Sequence, residues 1–431
     1  MLKNSFFGLT RSWLKYERLV SFPQQIRHIS SPGQVTYLFN TPFEKTTDMM
    51  LKIGNRIKRG QPIVIKDGPG GKLVSSVAGT VASITPYDGD LGRRCTAVTL
   101  TVINNEEVDT GFAANMASPG LETARTYLSN VPGNLRLSQL IDPVADSEKS
   151  IDTIVISAMD EDLLIGTRQY VLKTDFSFVV KGIDILRQIT DVERIVLVVP
   201  RESVQGFGHI SAEVLAADLD YPAGNPLLIM NNLLKRPVPA GQSPEENGVC
   251  FFSIEAVASM GRAYTDGAVP VRKTITFIDK AGSQSLATVR IGTPVADVLS
   301  AYGVTLNDRD QLIFGGPMTG KAVHDTHHPI LSDTDAVFVQ DRDSIPYSSD
   351  YPCINCGDCV RLCPVNIPID MLVRFLEVGQ YQEAADQYAL ESCIECGLCG
   401  CVCVAKIPIV QYIRLGKYEL AKERSVEAAN D

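Results

Sequence analysis

Along this 431-residue chain the spacing of apolar positions changes several times, and each change marks a different kind of element. Leu2, Phe6, Leu9, Trp13, Tyr16 and Val20 recur at steps of four and three, which predicts one apolar helix face within an N-terminal arm, residues 1–30. Lys3, Arg11, Lys15 and Arg18 decorate the rest of that helix, and Glu17 is its one acid. A basic, aromatic-striped helix can lie on an anionic membrane surface, dock on a partner or fold back on its own protein; a stripe alone does not choose. Residues 31–105 read as strands. Within them Gly68-Pro69-Gly70-Gly71-Lys72 looks like a phosphate loop, but β-like sequence follows at Leu73–Ile84. Without a helix N-terminus an anion site lacks its electrostatics, so a plain turn is expected there.

Strand and helix patterns alternate over residues 106–265. Thr153–Ala158, Arg194–Pro200 and Gly248–Ser253 are unbroken apolar strands. Phe176–Gln188 is a helix with Val179, Val180, Ile183 and Leu186 on one face, and a second helix holds Ala256, Val257 and Met260. This alternation predicts a parallel α/β sheet whose ligands would bind beyond the strand C-terminal ends. Asp160, Glu161 and Asp162 stand there; acids can face a ribose, and they are equally what a helix start prefers. Residues 266–345 return to strands around a helix with Val298, Leu299 and Tyr302, ended by Gly303, a small β-grasp-like unit. His324, His327 and His328 fall in a later loop, with no cysteine or acid pattern to make them a metal site. Ile53–Ile63 (Ile-Gly-Asn-Arg-Ile-Lys-Arg-Gly-Gln-Pro-Ile) has the look of a biotinyl/lipoyl-type half-barrel, closed by Val77–Val81. Its Met-Lys-Met carrier motif is absent, so no swinging arm is expected.

The chemistry concentrates in residues 346–431. Nine of the chain's 11 cysteines lie between Cys353 and Cys403. Cys353, Cys356, Cys359 and Cys363 follow C-x-x-C-x-x-C-x-x-x-C, and Cys393, Cys396, Cys399 and Cys403 repeat it. This is the bacterial-ferredoxin run for two [4Fe–4S] clusters, in which the fourth cysteine of each run ligates the other cluster. The spacing therefore assigns Cys353, Cys356, Cys359 and Cys403 to one cluster, and Cys393, Cys396, Cys399 and Cys363 to the other. Zinc, which takes paired C-x-x-C knuckles, fits two identical four-cysteine runs poorly. Pro364-Val-Asn-Ile-Pro-Ile369 echoes Val404-Ala-Lys-Ile-Pro-Ile409, and each Ile-Pro-Ile starts a helix. Met371, Leu372, Phe375 and Leu376 stripe the first, Tyr381–Leu390 forms a second, and Val410, Ile413 and Leu415 begin a third. The result is two cluster loops joined by a helical hairpin. Cys401 sits between two ligands and is expected to pack beside the cluster as a small buried residue. Cys95 and Cys250, in strands, are expected to be buried structural thiols.

The length implies several domains. No run approaches eighteen consecutive apolar residues, and the N-terminus lacks the apolar core of a signal peptide. Thiolate ligands without a signal suit a reducing compartment. A net charge of −10 with no basic tract argues against nucleic acid.

From about residue 40 to 420 the chain resembles the C subunit of Rnf-type, ion-translocating electron-transport complexes. The resemblance rests on the half-barrel segment, Tyr221-Pro-Ala-Gly-Asn225, Ile291-Gly-Thr-Pro-Val295, Gly315-Gly-Pro-Met318 and both cysteine runs, in that order. It implies a multidomain α+β chain: an arm (1–30), a β-rich half-barrel (31–105), a nucleotide-binding-like α/β domain (106–265), a soluble-ligand-binding β-grasp domain (266–345) and an all-α dicluster ferredoxin domain (346–431). It further implies a peripheral subunit on the cytoplasmic face of the cell membrane, partnered by the membrane subunits of the complex and by ferredoxin or a ferredoxin-like subunit. One departure stands out. Relatives carry a glycine-rich loop ahead of the first α/β strand that cradles flavin phosphate and admits NADH. Here Leu128–Leu140 holds one glycine, Gly133, among Val131, Pro132, Asn134, Leu135 and Arg136. Side chains there would hold a phosphate off the backbone. The expectation is an electron-relay subunit without FMN or NADH. The alternatives are an NADH-oxidising, FMN-containing input subunit, and a partner-binding module of a heterodisulfide- or quinone-linked complex.

Overall fold

The computed structural model describes residues 14–19, 22, 25–43, 49–68, 70–89, 92–104, 106–140, 150–204 and 210–430. Leu2, Phe6, Leu9, Trp13 and Val20 of the expected helical stripe lie outside them. The described part of that stripe is not helical. Lys15 forms an antiparallel bridge with Asp220, Tyr16 N donates to Leu219 O (2.9 Å), and Tyr221 N donates to Leu14 O (2.9 Å). Pairing with a sequence-distant loop satisfies these peptide groups as a helix would have, and it also buries Tyr16, which is 3% exposed and sits edge-on to Tyr221. The described segment thus folds back on its own protein. Further on, Arg27–His28 adds a parallel edge strand to the sheet built from residues 272–340.

Residues 34–102 form the half-barrel sheet. Gln34–Phe39, Arg94–Val102, Gly79–Asp88 and Arg56–Ile57 are antiparallel neighbours in that order, and the hairpin Pro62–Val64/Lys72–Val74 lies beside them. Alternating positions turn inward, so Val35, Tyr37, Phe39, Val98 and Leu100 fill the core. Lys72 opens the strand Lys72–Val74 rather than a helix, so no helix N-terminus follows Gly70 and Gly71; Pro69 lies outside the described residues.

The second sheet is parallel throughout: Glu213–Ala217, Arg194–Pro200, Thr153–Ser157 and Val249–Ser253. Glu213–Ala217 is a strand the apolar pattern does not announce. The helices Phe176–Ile189 and Ile254–Asp266 cross on one face, and two glycines allow it. A Cβ on Gly182 would meet Val257 O at 2.1 Å, and one on Gly261 would meet Phe178 O at 1.9 Å. The chain buries Val179, Ile183 and Leu186 as expected, while Val180 is only half-buried.

A six-stranded mixed sheet follows, ordered Arg27–His28, Gln284–Arg290, Arg272–Ile278, Ala336–Gln340, Gln311–Phe314 and Lys321–Val323. Its helix, Val295–Tyr302, ends at left-handed Gly303. Buried charges tie this sheet to the parallel one. Lys273, with 0% side-chain exposure, pairs with Glu255 and with Asp335 (2.9 Å), and Asp335 also pairs with Arg168 (3.2 Å). His328 is half-buried against Tyr87 (Nδ1 to Oη 2.6 Å), whereas exposed His327 pairs with Asp325. Cys95 and Cys250 are buried in strands.

From residue 346 onward the described chain is helical: Asp358–Leu362, Ile369–Glu377, Tyr381–Tyr388, Leu398–Val402 and Ile409–Asn430. Leu415, expected on the apolar stripe of the last helix, is instead 40% exposed; Ile409, Ile413 and Leu420 face inward.

Candidate iron–sulfur site

Each cysteine run folds as a loop followed by one short helix, and the backbone of the two runs repeats. Asn355 (φ 59°) and Gly357 (φ 72°) are left-handed in the first, Glu395 (φ 54°) and Gly397 (φ 78°) in the second; Asn366 (φ 57°) and Lys406 (φ 58°) match beyond the fourth cysteines. Left-handed residues alternating with ordinary ones turn successive N–H groups to one side, a concavity suited to an anionic group. Non-glycine residues hold this left-handed conformation at matching positions of both copies.

The fourth cysteines, Cys363 and Cys403, terminate the helices Asp358–Leu362 and Leu398–Val402, which pack on each other. Each therefore faces the opposite loop. Cys363 lines one cavity with Cys393, Cys396 and Cys399. Cys403 lines another with Cys353, Cys356 and Cys359. Apolar side chains, Val410 and Ile413 in the first and Val373 and Ile407 in the second, with Ile369 shared by both, line the cavities. Peptide N–H groups reach the sulfurs: Ile367 N donates to Cys363 Sγ and Glu395 N to Cys393 Sγ, both at 3.4 Å. Among the described residues no three His, Cys, Asp or Glu side chains converge on one ion-sized point. Thiols spread around a cavity suit a cubane, whose irons stand apart, better than zinc, which draws four sulfurs to one centre. The donor set fits two [4Fe–4S] clusters. Burial pushes the thiols of Cys359 and Cys396 up to about 12 and raises that of Cys399 as well, so loading must release protons. Cys401 is exposed, not packed beside a cluster, because on its short helix it faces away from both cavities.

Several residues outside the cysteine runs hold the Cys393 loop in place. Tyr221 Oη donates to Cys396 O (2.8 Å), and Lys417 Nζ donates to Cys393 O (2.6 Å). Arg414 pairs with Glu395 and donates to Thr319 O (2.9 Å). The Met318–Thr319 turn is itself fixed by Asp162, whose carboxylate accepts from Met318 N (3.1 Å), Thr319 N (2.6 Å) and Thr319 Oγ1 (2.7 Å). Asp162 is thus neither a ribose ligand nor a helix cap. Of its neighbours, Asp160 accepts from Arg168 N (2.8 Å) in the first turn of helix Thr167–Thr174, and Glu161 pairs with Arg168. Burial raises Asp160 to about 7.

The Leu128–Leu140 stretch packs its own side chains: Val131, Leu135 and Leu137 are buried. Pro132 O and Gly133 O accept from Ser259 Oγ and Ser253 Oγ (3.0 Å each), and a Cβ on Gly133 would stand 2.3 Å from Ala256 N. The chain itself lies over the start of helix Ile254–Asp266.

A 4Fe-4S dicluster domain family matches residues 352–408. Beyond it, the chain is 23% identical over 372 residues to the C subunit of the ion-translocating oxidoreductase complex of Buchnera aphidicola, covering 82% of this chain and 78% of that protein. It is 27% identical over 391 residues to the same-named protein of Pseudomonas aeruginosa, covering 87% of this chain but 50% of that longer protein. With the C subunit of the proton-translocating ferredoxin:NAD(+) oxidoreductase complex of Clostridium ljungdahlii it shares 25% over 389 residues, 86% and 85% of the two chains. Among solved structures, an NAD+-reducing [NiFe]-hydrogenase in the H2-reduced state overlaps 74% of this chain and 68% of its own at a TM-score of 0.43 and 12% identity.

Proposed function

We propose that this chain, similar to C subunits of ion-translocating oxidoreductase complexes over 82–95% of its length, is an iron–sulfur electron-transfer subunit of an Rnf-type complex. It relays single electrons between ferredoxin, or a ferredoxin-like subunit, and the membrane core. The observation that carries this is the pair of crossed four-cysteine cavities standing in a chain of that likeness. Each bound cluster supplies reversible one-electron storage. The protein does the rest. Cys353, Cys356, Cys359 and Cys403 hold one cluster; Cys393, Cys396, Cys399 and Cys363 hold the other. Apolar side chains line both cavities, inward N–H groups stabilise sulfur charge, and Lys417 sets a cation beside the Cys393 cavity.

The chain attaches to the cytoplasmic side of the membrane through the other subunits. Among the described residues no helix is long and apolar enough to cross a bilayer. In this reading the half-barrel, the nucleotide-binding-like parallel sheet and the β-grasp-like mixed sheet form a scaffold that positions the cluster unit. The parallel sheet holds no FMN and takes no NADH. The support is local: Val131, Leu135 and Leu137 fill the stretch where a glycine cradle would lie, and Gly133 is pressed against Ala256 N.

Anaerobically prepared protein should contain roughly eight irons per chain, show no flavin absorbance, and be reduced by a low-potential ferredoxin but not by NADH. Roughly four irons, or stoichiometric zinc, would sink the dicluster assignment. FMN near one per chain, with bleaching on NADH addition, would instead restore the NADH-oxidising alternative.

A further inference from the structure

The two cysteine runs repeat in sequence and backbone, so the surfaces they carry begin as equivalents. The fold treats them differently. Around the Cys393 run that surface is covered from within the chain. Ile394 packs on the apolar cluster that contains Met159 and Tyr221, Cys396 is buried, and the position a Cβ would take on Gly397 lies 2.6 Å from Met318 O. Around the Cys353 run the counterparts are bare. Ile354, the equivalent of Ile394, is 63% exposed, Cys356 is exposed, and a Cβ on Gly357 would face only the side chain of Arg361. Val404, at the opposite lip of the same cavity, is 57% exposed. Two tyrosines extend the patch: Tyr347 is 73% and Tyr351 70% exposed. Ser349 N donates to Lys406 O (2.9 Å), which holds the segment between them beside Val404.

We propose that this rim of Tyr347, Tyr351, Ile354 and Val404 is the docking surface for an external iron–sulfur protein, and that single electrons cross there to or from the Cys353/Cys356/Cys359/Cys403 site. The proposal rests on the electron-relay reading and adds which site faces outward. The repeat supplies the argument. One copy of the surface is stable because Tyr221, Met318 and their neighbours cover it; the other copy has the same loop and no cover from the described residues of this chain. A cluster of large apolar side chains around one opening is what a protein partner buries, and tyrosines are favoured at such contacts. The occupant must bear a one-electron centre because the thiolate site it covers exchanges electrons singly. The Cys393 site, enclosed by the scaffold, is then the inner station, reached from outside through the first.

The test is stopped-flow reduction of cluster-loaded, full-length protein by a reduced low-potential 2[4Fe–4S] ferredoxin, with dithionite as a small reductant that needs no docking. Tyr351→Glu places a charge in the patch without touching the cavity wall. It should slow reduction by ferredoxin roughly tenfold or more, leaving iron content, EPR spectra and the dithionite rate as in wild type. Ile53→Glu, at a comparably exposed apolar side chain on the half-barrel, should leave the ferredoxin rate unchanged. Tyr347→Ala, which trims apolar area without adding charge, should give a smaller slowing and keeps the test standing if Tyr351→Glu loses iron. Wild-type ferredoxin rates in both tyrosine variants would overturn the docking surface alone. Wild-type protein that ferredoxin does not reduce would overturn the relay reading beneath it.

Discussion

Gly357 and Gly397 offer a matched pair for measuring how much the tertiary fold holds the cysteine unit in place. Both occupy the same position of the repeated loop with similar left-handed backbone, φ 72° and 78°. Alanine at either must bear the left-handed penalty of about 1–2 kcal/mol. The surroundings then separate them. At Gly357 the new methyl meets a guanidinium nitrogen of Arg361 at 3.1 Å, the far end of a flexible side chain that can swing away. At Gly397 it meets Met318 O at 2.6 Å. That carbonyl belongs to a turn fixed by three hydrogen bonds to buried Asp162, counting the closer of the two from Met318 N, so it cannot yield cheaply. Overpacking against fixed backbone costs about 1–3 kcal/mol more. The expected totals are about 1–2 kcal/mol for Gly357→Ala and about 2–5 kcal/mol for Gly397→Ala. Iron released to a chelator in mild denaturant, followed anaerobically, reads the difference. If opening of the docked unit precedes iron loss, Gly397→Ala should release iron roughly 5- to 150-fold faster than Gly357→Ala. Equal rates would show that the Met318 turn does not brace the loop and that the 2.6 Å approach is relieved without cost.

Other outcomes follow from the same geometry. Cys363→Ala should damage the cluster held by Cys393, Cys396 and Cys399, since Cys363 lines their cavity; site-resolved EPR showing loss only at the Cys353 site would contradict the crossing. Cys401→Ser should leave both EPR signals intact, as an exposed non-lining residue must. Lys273→Met leaves two buried carboxylates, Glu255 and Asp335, without their ammonium, and should cost about 3–5 kcal/mol in urea unfolding of the scaffold. Burial lowers His328 from 6.5 to about 4, so the unfolded chain takes up the proton first as pH falls. Stability should drop between pH 6.5 and about 4, and His328→Phe should remove that part of the slope.

Much of this protein is legible in its sequence because the relevant spacing is local. Three cysteines within one loop and a fourth one helix turn on can face only a limited set of directions; Cys363 lines a cavity with Cys393, Cys396 and Cys399, and Cys403 one with Cys353, Cys356 and Cys359. Gly303 stops its helix where only a left-handed residue can. Continuous Val/Ile runs become the central strands Thr153–Ser157 and Arg194–Pro200, since such runs suit burial on both faces. Other features were decided only by the tertiary structure. Tyr16 belongs to a stripe with helical spacing, yet Leu14–Tyr16 takes an extended form because the 219–221 backbone offers it hydrogen bonds. Glu213–Ala217 is short and mostly half-buried, and becomes a strand because the edge of Arg194–Pro200 is open to it. Asp162 reads as a helix start, yet its partners are Met318 and Thr319, far along the chain. Two nearly identical cysteine runs end up with one surface covered and one bare. Sequence spacing fixes which side chains share a local face; what that face meets depends on chain segments hundreds of residues away, whose approach is set by packing of the whole.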